Sequence, residues 1–273
     1  MTEVISIVSG KGGVGKTTIA ANLSFALKNL GKKVLLIDLN LTTPHLTYYL
    51  GFSNYSHTLN EVLMNKINEL SIVHNLEGVR FVPSSNSLEE IVKINPKRID
   101  KVLSNFKKYM NLDFIILDSA PGIGREAITS MSVSDKIILV ATPYFPSIND
   151  IIKCKKIANH LGKHEMKIVL NMYDGYSYEL SPQKIEEITG LEVIGCIPYD
   201  NYVNISLAAG IPLIFYKPKA LASIAINQIA SKLLGNKPKK SKKLILHDVF
   251  VKIKDKLFYS FSSDLGTDFK LEK

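Results

Sequence analysis

Residues 4–23, VISIVSGKGGVGKTTIAANL, decide the fold. A β-branched run, Val4–Ser9, feeds the glycine-rich stretch Gly10–Thr17, whose spacing is GxxxxGKT, and a helical pattern opens at Lys16. Strand, glycine loop and helix in that order make a phosphate cradle. Around Gly12, Gly13, Val14 and Gly15 the backbone wraps its N–H groups about an anion, and the helix N-terminus adds partial positive charge. In such a loop Lys16 reaches the β- and γ-phosphates, the Thr17 hydroxyl ligates Mg²⁺, and Thr18 donates to the α-phosphate.

Outward from this loop, short apolar runs alternate with helical patterns. Strands are expected at Lys33–Asp38, Val79–Val82, Asp113–Asp118, Lys136–Ala141, Lys167–Asn171 and Glu192–Ile197. Helices are expected at Lys16–Leu30, Leu59–Leu70, Pro96–Tyr109, Arg125–Met131, Ser147–His160, Pro182–Thr189 and Lys219–Leu234. The strands read as continuous apolar runs rather than alternating ones, which fits a parallel sheet covered on both faces. The pattern predicts a doubly wound α/β fold with a mostly parallel sheet and helices on both sides. Two of the strands end in acids, Asp38 in KVLLID and Asp118 in DFIILD. Both fall at C-terminal strand edges, where open α/β sheets bind ligands, and are expected beside the same Mg²⁺. Pro121, Gly122 and Gly124 follow Asp118 in a loop free to respond to a γ-phosphate.

Composition narrows the remaining classes. The 273 residues are 46% hydrophobic and 22% charged, which excludes a disordered or collagen-like chain. Cys154 and Cys196 form no CxxC, so neither a disulfide scaffold nor an iron–sulfur cluster is expected. No apolar run reaches eighteen residues and the N-terminus lacks a basic secretory cap, so the expected location is cytoplasmic. Net charge is +9, nearly all of it lysine, and residues 236–273 carry ten lysines against five acids. That tail holds more than half of the imbalance.

The loop KGGVGKTT, the segments DLNLTTPHL and LDSAPGIGREA, and the late CIPYDNYVNISLAAGIPL together resemble the MinD/ParA family of deviant Walker A ATPases, in particular its archaeal MinD-like members. The resemblance covers roughly residues 1–235. It implies an ATPase that sandwiches Mg-ATP between two subunits of an ATP-dependent homodimer. Lys11 is not needed by the loop, where Lys16 already serves, and a surface lysine competes as its reading; the resemblance makes it the signature residue crossing to the partner subunit's phosphates. Asp38 matches the first switch I aspartate, Asp118 the Walker B aspartate, and Pro121–Gly124 switch II. Asn171 matches the position that contacts adenine, with Pro198 and Tyr199 beside the base.

Two departures stand out. The family's second switch I aspartate, which orients the attacking water, is replaced here by Asn40, and Met172 follows Asn171 where an arginine is usual. An amide holds water but cannot take its proton at neutral pH, so slow hydrolysis is expected.

After Gly235 a basic linker, residues 236–243, leads to a tail, residues 244–273. On a helical wheel Leu246, Val249, Phe250, Ile253, Leu257 and Phe261 form one apolar stripe flanked by Lys254 and Lys256, which suits an anionic membrane surface. A hairpin turning near Lys254–Asp255 competes, because Val249, Val251, Ile253, Leu257 and Tyr259 also share a period-two face. Three functions remain open on the sequence. The first is a membrane-linked positioning switch acting on an unidentified activating or cargo protein. The others are a DNA-binding partition ATPase and an ATP-binding scaffold with negligible turnover.

Overall fold

A computed structural model describes residues 2–52, 55–87, 89, 90, 95, 98–238 and 241–264, with side chains through residue 255. In chain order β1 is Glu3–Val8, α1 Lys16–Asn29, β2 Val34–Leu39, α2 Leu46–Tyr49 and α3 Leu59–Leu63. Then come a 3₁₀ turn at Glu69–Ile72, β3 His74–Leu76, β4 Val79–Val82, α4 Ile99–Tyr109 and β5 Phe114–Ser119. Next are α5 Arg125–Val133, β6 Lys136–Ala141, α6 Phe145–His160, β7 Met166–Asn171, α7 Pro182–Thr189 and β8 Val193–Ile197. The chain continues through α8 Asn201–Ala208, α9 Leu213–Tyr216, α10 Leu221–Leu233 and α11 Lys242–Asp264.

The strands form one sheet in the order β3-β4-β2-β5-β1-β6-β7-β8. All neighbours are parallel except the antiparallel β3–β4 pair. This is the doubly wound architecture expected from the apolar runs. The chain winds outward on one side of β1, returns through β5, and winds the other way from β6. The crevice at the C-terminal end of β1 is therefore the place where such a sheet binds its ligand.

Alternation along the buried strands divides the core by face. Ile5, Ile7, Leu36 and Ile116 pack under α1 and α10, while Val4, Leu35, Ile37 and Leu117 pack with α3 and α4 on the other side. Phe25 of α1 is fully buried and meets Phe215 edge-on at 4.8 Å between ring centroids. Burying a phenyl ring of this size stabilises the fold by about 1.5–3 kcal/mol.

The expected strands are present, with ends moved by a residue at most. Larger differences fall in short or polar elements, while α5, α6 and α10 shift their ends by up to two residues. The helix expected over Leu59–Leu70 stops at Leu63, because Asn65 takes a left-handed φ of 65° and the chain resumes as a 3₁₀ turn. β3, with the polar sequence HNL, and the four-residue α2 and α9 carry no periodicity to read. α8 begins where the Asp200 carboxylate accepts a hydrogen bond from the Tyr202 N–H, a cap hidden in a loop-like sequence. Pro96 and Lys97, at the start of the expected third helix, lie outside the described residues.

The tail is helical through Lys242–Asp264, so Lys254–Asp255 is helix interior and not a turn. It also takes in the last two residues of the basic linker. Leu244 and Val251 are buried against the body, whereas Leu246, Val249, Phe250 and Ile253 point away from it. The side chains of Lys256, Leu257 and Phe261 lie outside the described residues.

β8 and α10 pack closely. A Cβ on Gly195 would sit 2.4 Å from Cγ1 and 2.8 Å from Cδ1 of Ile229, which is itself buried. Gly195→Ala is expected to lower unfolding stability by about 1–3 kcal/mol through overpacking. Urea denaturation of both proteins checks this, and an unchanged midpoint would contradict so tight a contact.

Candidate nucleotide site

The loop after β1 reaches the start of α1 through left-handed backbone at Gly13 (φ 79°) and Gly15 (φ 89°). At Gly15 an L side chain is doubly refused: the φ is wrong, and a Cβ would lie 2.2 Å from Nδ2 of Asn171. Asn171, at the end of β7, donates from Nδ2 to the Val14 carbonyl at 2.8 Å. Its side chain thus ties a remote strand end to the phosphate loop. The loop is also pinned from the other side, where the Gly122 N–H donates to the Ser9 carbonyl at 3.1 Å. That bond joins Gly122, Pro121 and Gly124 to the phosphate loop through backbone alone.

Beneath the loop lies a buried charge cluster. Asp38 and Asp118 are paired in register on β2 and β5, and both are essentially inaccessible. Lys16 is nearly buried too, with Nζ 3.6 Å from Oδ1 of Asp118. Burial drives the Asp38 carboxyl well above its ordinary range and the neighbouring Asp118 pushes it further, opposed by N–H groups of Asn40 and Leu46 and by Lys16. Asp118 is also raised by burial, and Lys16 and the Thr17 hydroxyl draw it back. Two carboxylates served by one ammonium are short of positive charge. Oδ1 of Asp118 is buried without a hydrogen-bond partner. An orphaned carboxylate oxygen beside a second carboxylate and a threonine hydroxyl is a donor set that fits a hard divalent cation. Thr17, Asp38 and Asp118 are the residues that would hold it.

The loop after β2 is closed on itself. Asp38 accepts from the N–H of Asn40 at 2.9 Å and from the N–H of Leu46 at 3.2 Å. The Asn40 carboxamide donates to the Thr43 carbonyl and accepts from the Thr43 hydroxyl at 3.2 Å. Its polar atoms are occupied by its own loop. Thr42 donates to Glu126 in the first turn of α5, joining the loops after β2 and β5. Glu126 was not legible in the sequence, since its neighbours GREA read only as a helix start.

Lys11 is exposed, and Ser9 holds its carbonyl at 2.9 Å. Pro198 is buried and Tyr199 exposed, on the loop after β8. The Tyr199 N–H donates to Asp174 at 3.1 Å. That carboxylate stands in the loop after β7, where Glu179 accepts from three successive backbone N–H groups, of Asp174, Gly175 and Tyr176, at 2.6–3.1 Å. Met172 lies between this loop and Asn171 with a left-handed φ of 57°, strain that commonly gathers at ligand sites. The sequence offered no signal for the Asp174–Glu179 nest, whose members are ordinary loop residues until the chain is folded. Gly15→Ala is expected to weaken Mg-ATP binding at least about tenfold while the chain stays folded, because the strain falls on the cradle itself. Titration with a fluorescent ATP analogue measures it, and wild-type affinity would contradict the geometry.

Comparison with known proteins bears on the same body. A ParA family profile, described as NUBPL iron-transfer P-loop NTPase, matches residues 1–234. An uncharacterised ATP-binding protein of Methanocaldococcus jannaschii is 37% identical over 238 residues, 87% of this chain and 89% of its own. The septum site-determining protein MinD of Pyrococcus horikoshii, solved with Mg-ADP, is 30% identical with a TM-score of 0.80, over 85% of this chain and 96% of that one. MinD from a MinC:MinD complex of Aquifex aeolicus is 31% identical with a TM-score of 0.79, over 88% and 99%. Cys154 lies on α6 and Cys196 on β8, and burial pushes the Cys154 thiol up to about 11, which keeps it a neutral packing group. Agreement over this length, in sequence and in three dimensions, makes the chain a member of the MinD/ParA family of P-loop ATPases.

Proposed function

We propose that the chain is a spatial-positioning switch. It binds Mg-ATP, dimerises around the nucleotide, hydrolyses it slowly, and expresses its nucleotide state as attachment to an anionic membrane surface. The observation that carries this reading is the orphaned Asp118 oxygen beside Asp38 and Lys16, directly under a glycine-rich phosphate loop.

In this reading Gly12–Gly15 and the amides at the start of α1 bind the phosphates, and Lys16 balances charge on the β- and γ-oxygens. Thr17, Asp38 and Asp118 would hold Mg²⁺, which would supply neutralisation of the phosphate charge. The Lys11 ammonium, exposed and without a hydrogen bond or ion pair among the described residues, is free to reach a second subunit. Asn171, Pro198 and Tyr199 surround the base. Binding of an activating or cargo protein, as MinC is bound in the Aquifex aeolicus complex, would act on the assembled dimer.

Asn40 limits the chemistry. Its carboxamide is engaged with Thr43, and even when released an amide cannot accept the proton of the attacking water. Phosphoryl transfer rests chiefly on positioning and charge, so turnover persists at a low rate. Asn40→Asp is expected to raise kcat at least about tenfold, since a positioned base is worth roughly 100-fold or more. A phosphate-release assay decides, and equal rates would remove Asn40 as the reason for slow turnover.

The tail supports the membrane readout. Leu246, Val249, Phe250 and Ile253 are each at least half exposed on one face of α11, and lysines border them. No helix among the described residues is long and apolar enough to cross a membrane, so the contact proposed is interfacial. Co-sedimentation with anionic vesicles in Mg-ATP, in Mg-ADP and without nucleotide is expected to show ATP-dependent pelleting that Phe250→Glu abolishes. An ATP-induced dimer that stays in the supernatant would set the membrane aside, and retention on duplex DNA instead would favour the partition reading.

A further inference from the structure

An ATP-dependent tail needs a physical path from the nucleotide to α11. The described residues contain one, and its hub is Asp174. Oδ1 of Asp174 accepts from the Tyr199 N–H at 3.1 Å and stands 3.5 Å from Nε2 of His247 on the tail helix. Lys254, two turns along the same helix, adds a positive charge near Asp174. Three residues on, Ser177 donates from its backbone and its hydroxyl to Asp255 of the tail at 3.2 and 3.3 Å. Between these two attachment points the loop is held rigid by the three N–H groups nested on Glu179. One short, braced loop is thus bonded to the base-side residue Tyr199 at one end and to two positions of α11.

The helix is docked through this polar face and through Leu244 and Val251, so its apolar stripe faces outward while docked. Docking here exhibits the stripe and does not hide it. We infer that Asp174 couples the nucleotide site to the tail: a nucleotide that orders the loops after β7 and β8 fixes Asp174, and Asp174 then fixes α11 in the pose that presents Leu246, Val249, Phe250 and Ile253. The inference rests on the proposed seating of the base beside Asn171, Pro198 and Tyr199. Coupling of this kind is reciprocal, so the docked tail favours nucleotide binding by the same factor.

Hydrogen–deuterium exchange on the full chain, followed across residues 242–255, tests it. Saturating Mg-ATP is expected to slow exchange there about fivefold, the lower end of ordinary coupling between sites. His247→Ala is expected to abolish that slowing and to weaken Mg-ATP binding by the same factor, while His247→Gln, which keeps a donor for Asp174, retains both. If the His247→Ala tail simply unwinds, the wild-type comparison decides alone. Equal exchange with and without bound Mg-ATP overturns the coupling and leaves ATP binding standing. Faster exchange with Mg-ATP overturns it too, since the docked tail would then belong to the empty state. A chain that fails to bind Mg-ATP overturns the proposed function first and this inference with it.

Discussion

Two carboxylates and one ammonium, all withdrawn from water, set the terms for the rest of this protein. Asp38 and Asp118 stand side by side on adjacent strands, and among the described residues the Lys16 ammonium is the one ion-paired to them, through Asp118. Leaving a buried carboxylate without its partner costs about 3–5 kcal/mol, a large part of the 5–15 kcal/mol that keeps a domain folded. The N–H groups of Asn40 and Leu46 relieve Asp38 in part, and the Thr17 hydroxyl relieves Asp118. What they leave unmet is one carboxylate oxygen and a deficit of positive charge. A hard divalent cation at this cluster would meet both needs, and its binding would then be part of the electrostatics of the fold.

The loops around this cluster are arranged to feel it. Each strand end at the crevice is tied to a neighbour: β5 to the phosphate loop through Gly122 and Ser9, β7 through Asn171 and Val14, and the loop after β2 to α5 through Thr42 and Glu126. These bonds are few and lie at the mouth of the sheet, where backbone groups have no strand partners. Small displacements at the phosphates can therefore pass to several loops, while the strands behind them, buried on both faces, stay fixed. The tail enters the same network through the loop after β7.

Much of the site was legible because its chemistry is local. GKGGVGKT is contiguous, since consecutive amides must wrap one anion, and the acids of KVLLID and DFIILD announce themselves by ending apolar runs. Asn40 was legible as a departure, but its engagement with Thr43 was not. Asp174, Glu179 and Glu126 gave no sign, because each matters only through a partner brought near by folding. The tail gave two periodicities at once. The helix prevails, with Leu244 and Val251 against the body and Leu246, Val249, Phe250 and Ile253 outward.

By itself, then, the sequence determined the order of strands and helices, the parallel sheet and the phosphate cradle, because periodicity and short motifs are properties of neighbours along the chain. Tertiary structure decided which acids stand side by side, that Asn171 braces the phosphate loop, and that His247 and Asp255 dock the tail on the Asp174–Glu179 loop. Those are contacts between residues up to 157 positions apart. Their energies depend on burial and on distance in space, quantities that exist only once the chain has folded.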